Sequence, residues 1–134
     1  MSAVSAFTSN EIEYLQGLRL GRLATIGQNG DPHVVPVRYR FNAELDTVDI
    51  IGYNLSYSKK WRDAGRTRRA AFVVDDSAGR GLPRGVEVRG GAELLGDSGS
   101  DGHGEAVIRI HPTYIVSWGI DSDAHSPNGR AVKT

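Results

Sequence analysis

The stretch Leu20-Gly21-Arg22-Leu23-Ala24-Thr25-Ile26-Gly27-Gln28-Asn29-Gly30-Asp31-Pro32-His33-Val34-Val35-Pro36-Val37-Arg38-Tyr39-Arg40-Phe41 decides the fold class. Leu20 to Ile26 reads as a strand, and the turn after it holds the Asn29-Gly30 pair that favours a tight hairpin. From His33 the chain alternates. Val35, Val37, Tyr39 and Phe41 fall on one side, and Val34, Pro36, Arg38 and Arg40 on the other. A period of two is that of a strand with one buried face. Pro36 has no N–H to donate, so this strand lies at an edge or is bulged there.

Upstream, Thr8-Ser9-Asn10-Glu11 has the spacing of a capping box, and Ile12, Leu15 and Leu18 follow on one side, with Gly17 near the stop. That is the first helix. Downstream, Asn42 to Asp46 turns the chain and Thr47 to Tyr53 makes a third strand. Ser56 to Gly65 is polar, basic and compatible with a helix, with Trp61 its only large apolar residue. Ala70 to Asp75 reads as a fourth strand and Gly85 to Leu95 as a long fifth. Val107 to Ile110 and Thr113 to Trp118 form a last strand or pair, broken at His111-Pro112. Seventeen glycines cluster between these apolar runs, the punctuation of many short strands. Gly96 to Gly104 and the tail from Asp121 to Thr134 lack apolar residues to offset the entropy of ordering, so they read as a mobile loop and a flexible end. The expectation is one mainly-β domain over residues 1–120, a closed or partly closed barrel of about six to seven antiparallel strands with two short helices.

The composition excludes several classes. A chain of 134 residues folds as one domain, and the area scaling removes about two-thirds of its surface from water. That makes one sound core with little room to enclose a large ligand. No cysteine means no disulfide, zinc finger, iron–sulfur cluster or thiol nucleophile. Sixteen basic residues balance sixteen acidic ones, whereas a dedicated nucleic-acid protein carries a basic excess. No run is long and apolar enough to span a membrane, and Met1 to Ala6 lacks the pattern of a signal peptide, so a cytoplasmic protein is expected.

The familiar catalytic motifs are missing: there is no Gly-x-Ser-x-Gly elbow, Walker loop, dinucleotide fingerprint or His-Glu-x-x-His. His33, His103, His111 and His125 are scattered without metal-ligand spacing, so no metal is expected. Asp75-Asp76 points to opposite faces and makes a turn rather than an acid–base pair. Gly79 to Gly85 is glycine-rich but leads into a strand, which makes it a hairpin connection. The charge distribution says more. Lys59, Lys60, Arg62, Arg66, Arg68 and Arg69 lie within twelve positions against the single acid Asp63. Ser58-Lys59-Lys60 opens the helix, where terminal N–H groups, a hydroxyl and two ammonium groups suit an anion. The same run also suits a solvated helix face. Tyr53, Tyr57 and Trp61 interleave with it, but no nucleic-acid recognition signature accompanies them. Trp118 reads as a core, interface or pocket residue.

Several blocks, in this order, resemble the split β-barrel family of pyridoxamine 5'-phosphate oxidase-like flavin and deazaflavin proteins. They are Arg19 to Thr25, Gly30 to Val37, Ser58-Lys59-Lys60 with Asp63, Ala70 to Asp76, Gly85 to Gly90, Ile108 to Pro112 and Ser117 to Asp121. The last two resemble an actinobacterial branch described as using the deazaflavin coenzyme F420. The resemblance implies a homodimer with active sites at the subunit interface and a small-molecule substrate reduced by hydride transfer. It also implies roles for residues. Ser58, Lys59 and Lys60 would hold the cofactor phosphate with Arg62 nearby, Val34, Val35, Pro36 and Val37 would run along the ring, and Tyr53 would lie near the ribityl chain. Trp118, with Arg84 or Arg89, would reach the partner's site. A cationic stripe through Arg62, Arg66 and Arg68 suits the carboxylate tail of F420 better than FMN, which ends at one phosphate. FMN, or a carrier of flavin, deazaflavin or heme, is the alternative. Tyr39, Tyr53 and His33 are the candidate proton donors.

Overall fold

The alternation along the second strand closes into a barrel. The computed structural model describes residues 4–17, 20–78, 81–96, 105–121 and 127–133. In it β1 (Leu20–Ile26) pairs antiparallel with β2 (Pro32–Asn42), from Leu20 opposite Arg38 to Ile26 opposite Pro32. β3 (Thr47–Ile51), β4 (Arg69–Ala78), β5 (Leu82–Leu95) and β6 (Val107–Trp118) complete the ring in the order β3-β2-β1-β4-β5-β6, and β3 closes it on β6. Every pairing is antiparallel. The architecture is a split β-barrel with two helices, α1 (Ser9–Gly17) and α2 (Lys59–Thr67).

The sequence pattern explains each element. The capping box forms: the Glu11 N–H donates to Thr8 Oγ1 at 3.1 Å, and the Thr8 N–H to Glu11 Oε1 at 2.8 Å. On β2, Val37 and Tyr39 are buried while Val34, Pro36, Arg38 and Arg40 face out. β3 pairs only with Arg38 to Asn42, so the half of β2 that carries Pro36 has a free edge where a missing N–H costs nothing. Inside, Leu23, Ile50, Phe72, Val86, Val88 and Ile110 are fully buried, and the rings of Tyr39 and Phe72 meet edge to face at 4.7 Å. A barrel of this size is filled by its own side chains.

One buried carboxylate fastens the closure of this ring, and a second ties α1 to Arg130, beyond the ring's last strand. Asp49 and Arg109 stand opposite each other across the β3–β6 seam in a bidentate pair of 3.0 and 3.1 Å, with Asn42 and Thr47 donating to the same carboxylate. Burial alone would raise the pKa of Asp49, but these donors and the Arg109 charge outweigh it and hold it below the ordinary value. Glu11 is fully buried and takes two hydrogen bonds from Arg130. Its pKa is also lowered, burial being outweighed by Arg130, the Thr8 N–H and Ser117.

Four expectations are corrected. The chain from Asp121 is not uniformly a flexible tail, because β7 (Asn128–Ala131) pairs with β6 and Arg130 is held by Glu11. There is no break at His111-Pro112 either. β6 runs through, and Thr113 is the extra residue of a bulge, since Arg89 faces Tyr114 and Gly90 faces Pro112. The third strand stops at Ile51, which leaves Tyr53 in a turn. Asp75 and Asp76 lie within β4 and make no turn; Asp75 pairs with Arg22, and Asp76 with Arg84 and Tyr14. Gly79-Arg80 and most of the glycine-rich loop, residues 97–104, fall outside the described residues.

Replacing Arg109 by Ala strands a buried carboxylate and should cost about 3–5 kcal/mol, read as a lower midpoint in chemical denaturation at pH 7. The Asp49 pKa is depressed in the folded state. Its contribution is therefore complete above its unfolded value of about 3.9 and is lost as the pH falls below that. The gap between wild type and Arg109→Ala should accordingly shrink in acid.

Candidate functional site

With the interior filled, a ligand of any size must bind outside, and the strand registers define that surface. Val34, Ala24, Ala71, Arg89 and Tyr114 stand side by side across β2, β1, β4, β5 and β6. Pro36, Arg22, Val73, Glu87 and Val116 form the next row. Val34 is 69% exposed, a large apolar side chain left open to solvent. The rows floor two cavities. One of about 270 Å³ is lined by Arg22, Ala24, Val34, Val73, Glu87 and Trp118 among others, and one of about 840 Å³ lies beside it and shares Ala24 and Ala71. Trp118 packs against Gly85, where a Cβ would come within 2.5 Å of its ring, so glycine is what lets the indole approach so closely there.

α2 supplies the charged part of the site. Ser58 is its N-cap: the hydroxyl accepts from the Trp61 N–H at 3.4 Å and donates to Leu55 O at 2.6 Å. The helix ends at Arg68, which takes the left-handed conformation with φ 59°. The buried face of the helix carries Asp63, 1% exposed. Its carboxylate accepts from Thr25 Oγ1 of β1 at 3.1 Å, and lies 3.5 Å from Lys59 and 3.3 Å from Arg66. Burial would raise its pKa, but the bonds from Thr25 and Arg66 and the Lys59 charge lower it. Arg66 also donates to Ile26 O at 2.6 Å, so α2 is tied to the end of β1 at two points.

The structure sorts the residues expected from sequence. Val34 and Trp118 line one cavity, and Val35 and Val37 turn into the barrel, leaving only their backbone to a ligand. Ser58, Lys59, Lys60 and Arg62 sit together at the start of α2, but unequally. Lys59 is paired with Asp63 and Arg62 donates to Tyr57 O, whereas Lys60 has no ion pair or hydrogen bond among the described residues. The cationic stripe is interrupted, because Arg66 is committed to Asp63 and Ile26. Tyr53 is 96% exposed. Tyr39 is excluded as a proton donor to an outside ligand: it is buried, its hydroxyl donates to Leu15 O at 2.6 Å, and burial pushes its pKa up. Arg84 does not stand free, since Asp76 holds it in a bidentate pair. No group of three or more acidic or histidine residues among the described residues could hold a metal, and no described helix is long and apolar enough to cross a membrane. Ala24, Ala71 and Arg69 lie in separate runs of the sequence, Arg69 in the basic one, and only strand register shows that they share a surface.

Comparison with known proteins agrees with this architecture. The family model described as pyridoxamine 5'-phosphate oxidase matches residues 8–128. The chain belongs to that family. A relative from Streptomyces rimosus subsp. rimosus, named 5a,11a-dehydrotetracycline/5a,11a-dehydrooxytetracycline reductase, is 41% identical over 122 residues, covering 87% of this chain and 86% of the relative. Among solved structures, the conserved hypothetical protein Rv2991 from Mycobacterium tuberculosis superposes with a TM-score of 0.69 at 20% identity, covering 86% of each chain. A protein named F420 reductase superposes with a TM-score of 0.63 at 19% identity, covering 81% of this chain and 98% of that one. At such identities the structural likeness concerns the family fold alone.

Asp63→Ala should lower the unfolding free energy by about 1–3 kcal/mol. It leaves the buried Thr25 hydroxyl without its partner, while the half-exposed Lys59 and Arg66 regain water. Denaturant titration of the two proteins reads the difference.

Proposed function

We propose that this chain is an oxidoreductase that binds a phosphate-bearing deazaflavin or flavin on the outer face of its barrel. The identity with the Streptomyces reductase over nearly the full length carries the reading. The site supports it with a lysine at a helix N-terminus that is unpaired among the described residues, a free strand edge and an apolar platform bordered by Trp118. Lys60, the first-turn N–H groups of α2 and Arg62 would hold the phosphate, while Ser58 and Asp63 keep the helix in place. The backbone of Val34 to Val37 would border the ring.

When bound, the cofactor supplies a hydride for an electron-poor double bond in a small unsaturated organic substrate. The protein's share is to hold the ring against the platform, orient the substrate and keep water away. None of the three candidate side chains is aimed at the platform as an obligatory proton donor: Tyr39 is buried, Tyr53 is solvated and His33 packs at the hairpin beside Gly27.

Coenzyme F420 is the first reading of the cofactor, in line with the branch the sequence resembles. FMN is the second, and the interrupted stripe favours it: with Lys59 and Arg66 drawn onto Asp63, the remaining grip suits one phosphate. The exposed apolar side chains of Val34 and Leu20, together with the open cavities, support a homodimer whose partner covers this face. A cytoplasmic protein without a metal or nucleic-acid partner is part of the same proposal.

Titration with F420 and with FMN, followed by cofactor fluorescence, should show micromolar or tighter binding of F420. Binding of FMN alone would select the second reading, and binding of neither would remove both. Lys60→Ala should weaken the bound cofactor by about 1.5–3 kcal/mol, the worth of a charged hydrogen bond, and Lys59→Ala by much less. Light scattering should give twice the 14.5 kDa chain mass.

A further inference from the structure

The larger cavity is used by neither the anion grip nor the strand edge of β2. Its floor is almost without side chains. Ala24 and Ala71 face each other across β1 and β4, and Gly91 lies opposite Arg69 at the next outward position. Ile26 and Pro32 wall one side. A surface of methyl groups and bare backbone spanning three strands is about 10 Å wide, which suits a flat ring system. The volume of about 840 Å³ is that of a small-molecule site.

Two arginines, Arg69 and Arg89, are among the residues that line this cavity. Arg89 is fixed in place: Nε and Nη2 both bond Glu87, at 2.9 and 3.1 Å, and the group lies 5.0 Å over the Tyr114 ring. The bulge beside it depends on Gly90, since a Cβ there would lie 1.9 Å from His111 O. The Arg89 Nη1 has no partner among the described residues. The Arg69 guanidinium has neither an ion pair nor a hydrogen bond among them. The other polar walls are already engaged, for the Thr67 and Thr113 hydroxyls donate to backbone oxygens. Arg22 and Arg89 are neutralised by Asp75 and Glu87, so the uncompensated charge at the cavity is that of Arg69.

We propose that this cavity binds flat ring compounds bearing an acidic oxygen, with the charge of Arg69 selecting the anion and Arg89 presenting a preset donor. The proposal rests on the oxidoreductase reading, in which this is the substrate's seat beside the cofactor. It narrows the substrate from any unsaturated organic molecule to one with an enolate, phenolate or carboxylate on a planar frame.

Calorimetric titration of the purified protein with anthraquinone-2-carboxylate and with anthraquinone-2-carboxamide tests it. The carboxylate should bind about tenfold tighter, the worth of one charged hydrogen bond. Arg69→Gln should reduce the carboxylate to the affinity of the carboxamide and leave the carboxamide unchanged. Ala71→Leu, which fills the floor, should remove both without moving the unfolding midpoint. Equal affinity for the two probes, binding of neither, an unaffected Arg69→Gln variant, or displacement of the probe by FMN or F420 would overturn the proposal. Carboxylate binding without binding of either cofactor would overturn the oxidoreductase reading and leave this site standing.

Discussion

The inside of this barrel is full, and the rest of the molecule follows from that. Six strands enclose only enough space for their own inward side chains, so every second residue is spent on the core. What remains for chemistry is the outward half of each strand. There the usual polar coat is thinned: Val34, Pro36, Ala24, Ala71 and Val73 occupy positions where a solvated strand carries charges. A face of that kind asks to be covered by a ligand, a partner or both.

Net neutrality takes on a different meaning beside the ion pairs. Three acids, Glu11, Asp49 and Asp63, are fully or almost fully buried, and each joins two elements that are distant in the chain. Glu11 joins α1 to β7, Asp49 joins β3 to β6, and Asp63 joins α2 to β1. Pairs of this kind add little over well-packed apolar residues, but each is costly to break once formed. They therefore act as registration marks, admitting one placement of each element. Asp63 has a second effect, since it engages the Lys59 ammonium and the Arg66 guanidinium and leaves Lys60, among the described residues, as the lysine at the helix start without an ion pair.

Local patterns carried much of this. The capping box, the hairpin and the alternation of β2 were legible because they depend on neighbours a few residues apart. Pro36 announced its free edge through the donor it lacks. What depends on pairing across the sheet was hidden. The bulge at Thr113 looked like a strand break, because Pro112 reads the same in both. β7 looked like a flexible end, since Asn128 to Ala131 holds no apolar residue beyond one alanine and owes its place to Arg130 and a glutamate more than a hundred residues away. The anion grip was visible as a basic run, yet the sequence did not show which lysine is spoken for. The floor of the larger cavity was invisible, because alanine and glycine attract no notice until register sets them side by side.

Gly85 lets Trp118 pack closely against the sheet, and that has an optical consequence. The chain holds two tryptophans, one on the charged helix and one over this glycine. Both are partly exposed, so the emission wavelength of each follows the polarity of its own surroundings. Each indole can be silenced in turn by phenylalanine, which leaves the protein with a built-in spectral probe of either half of its outer face.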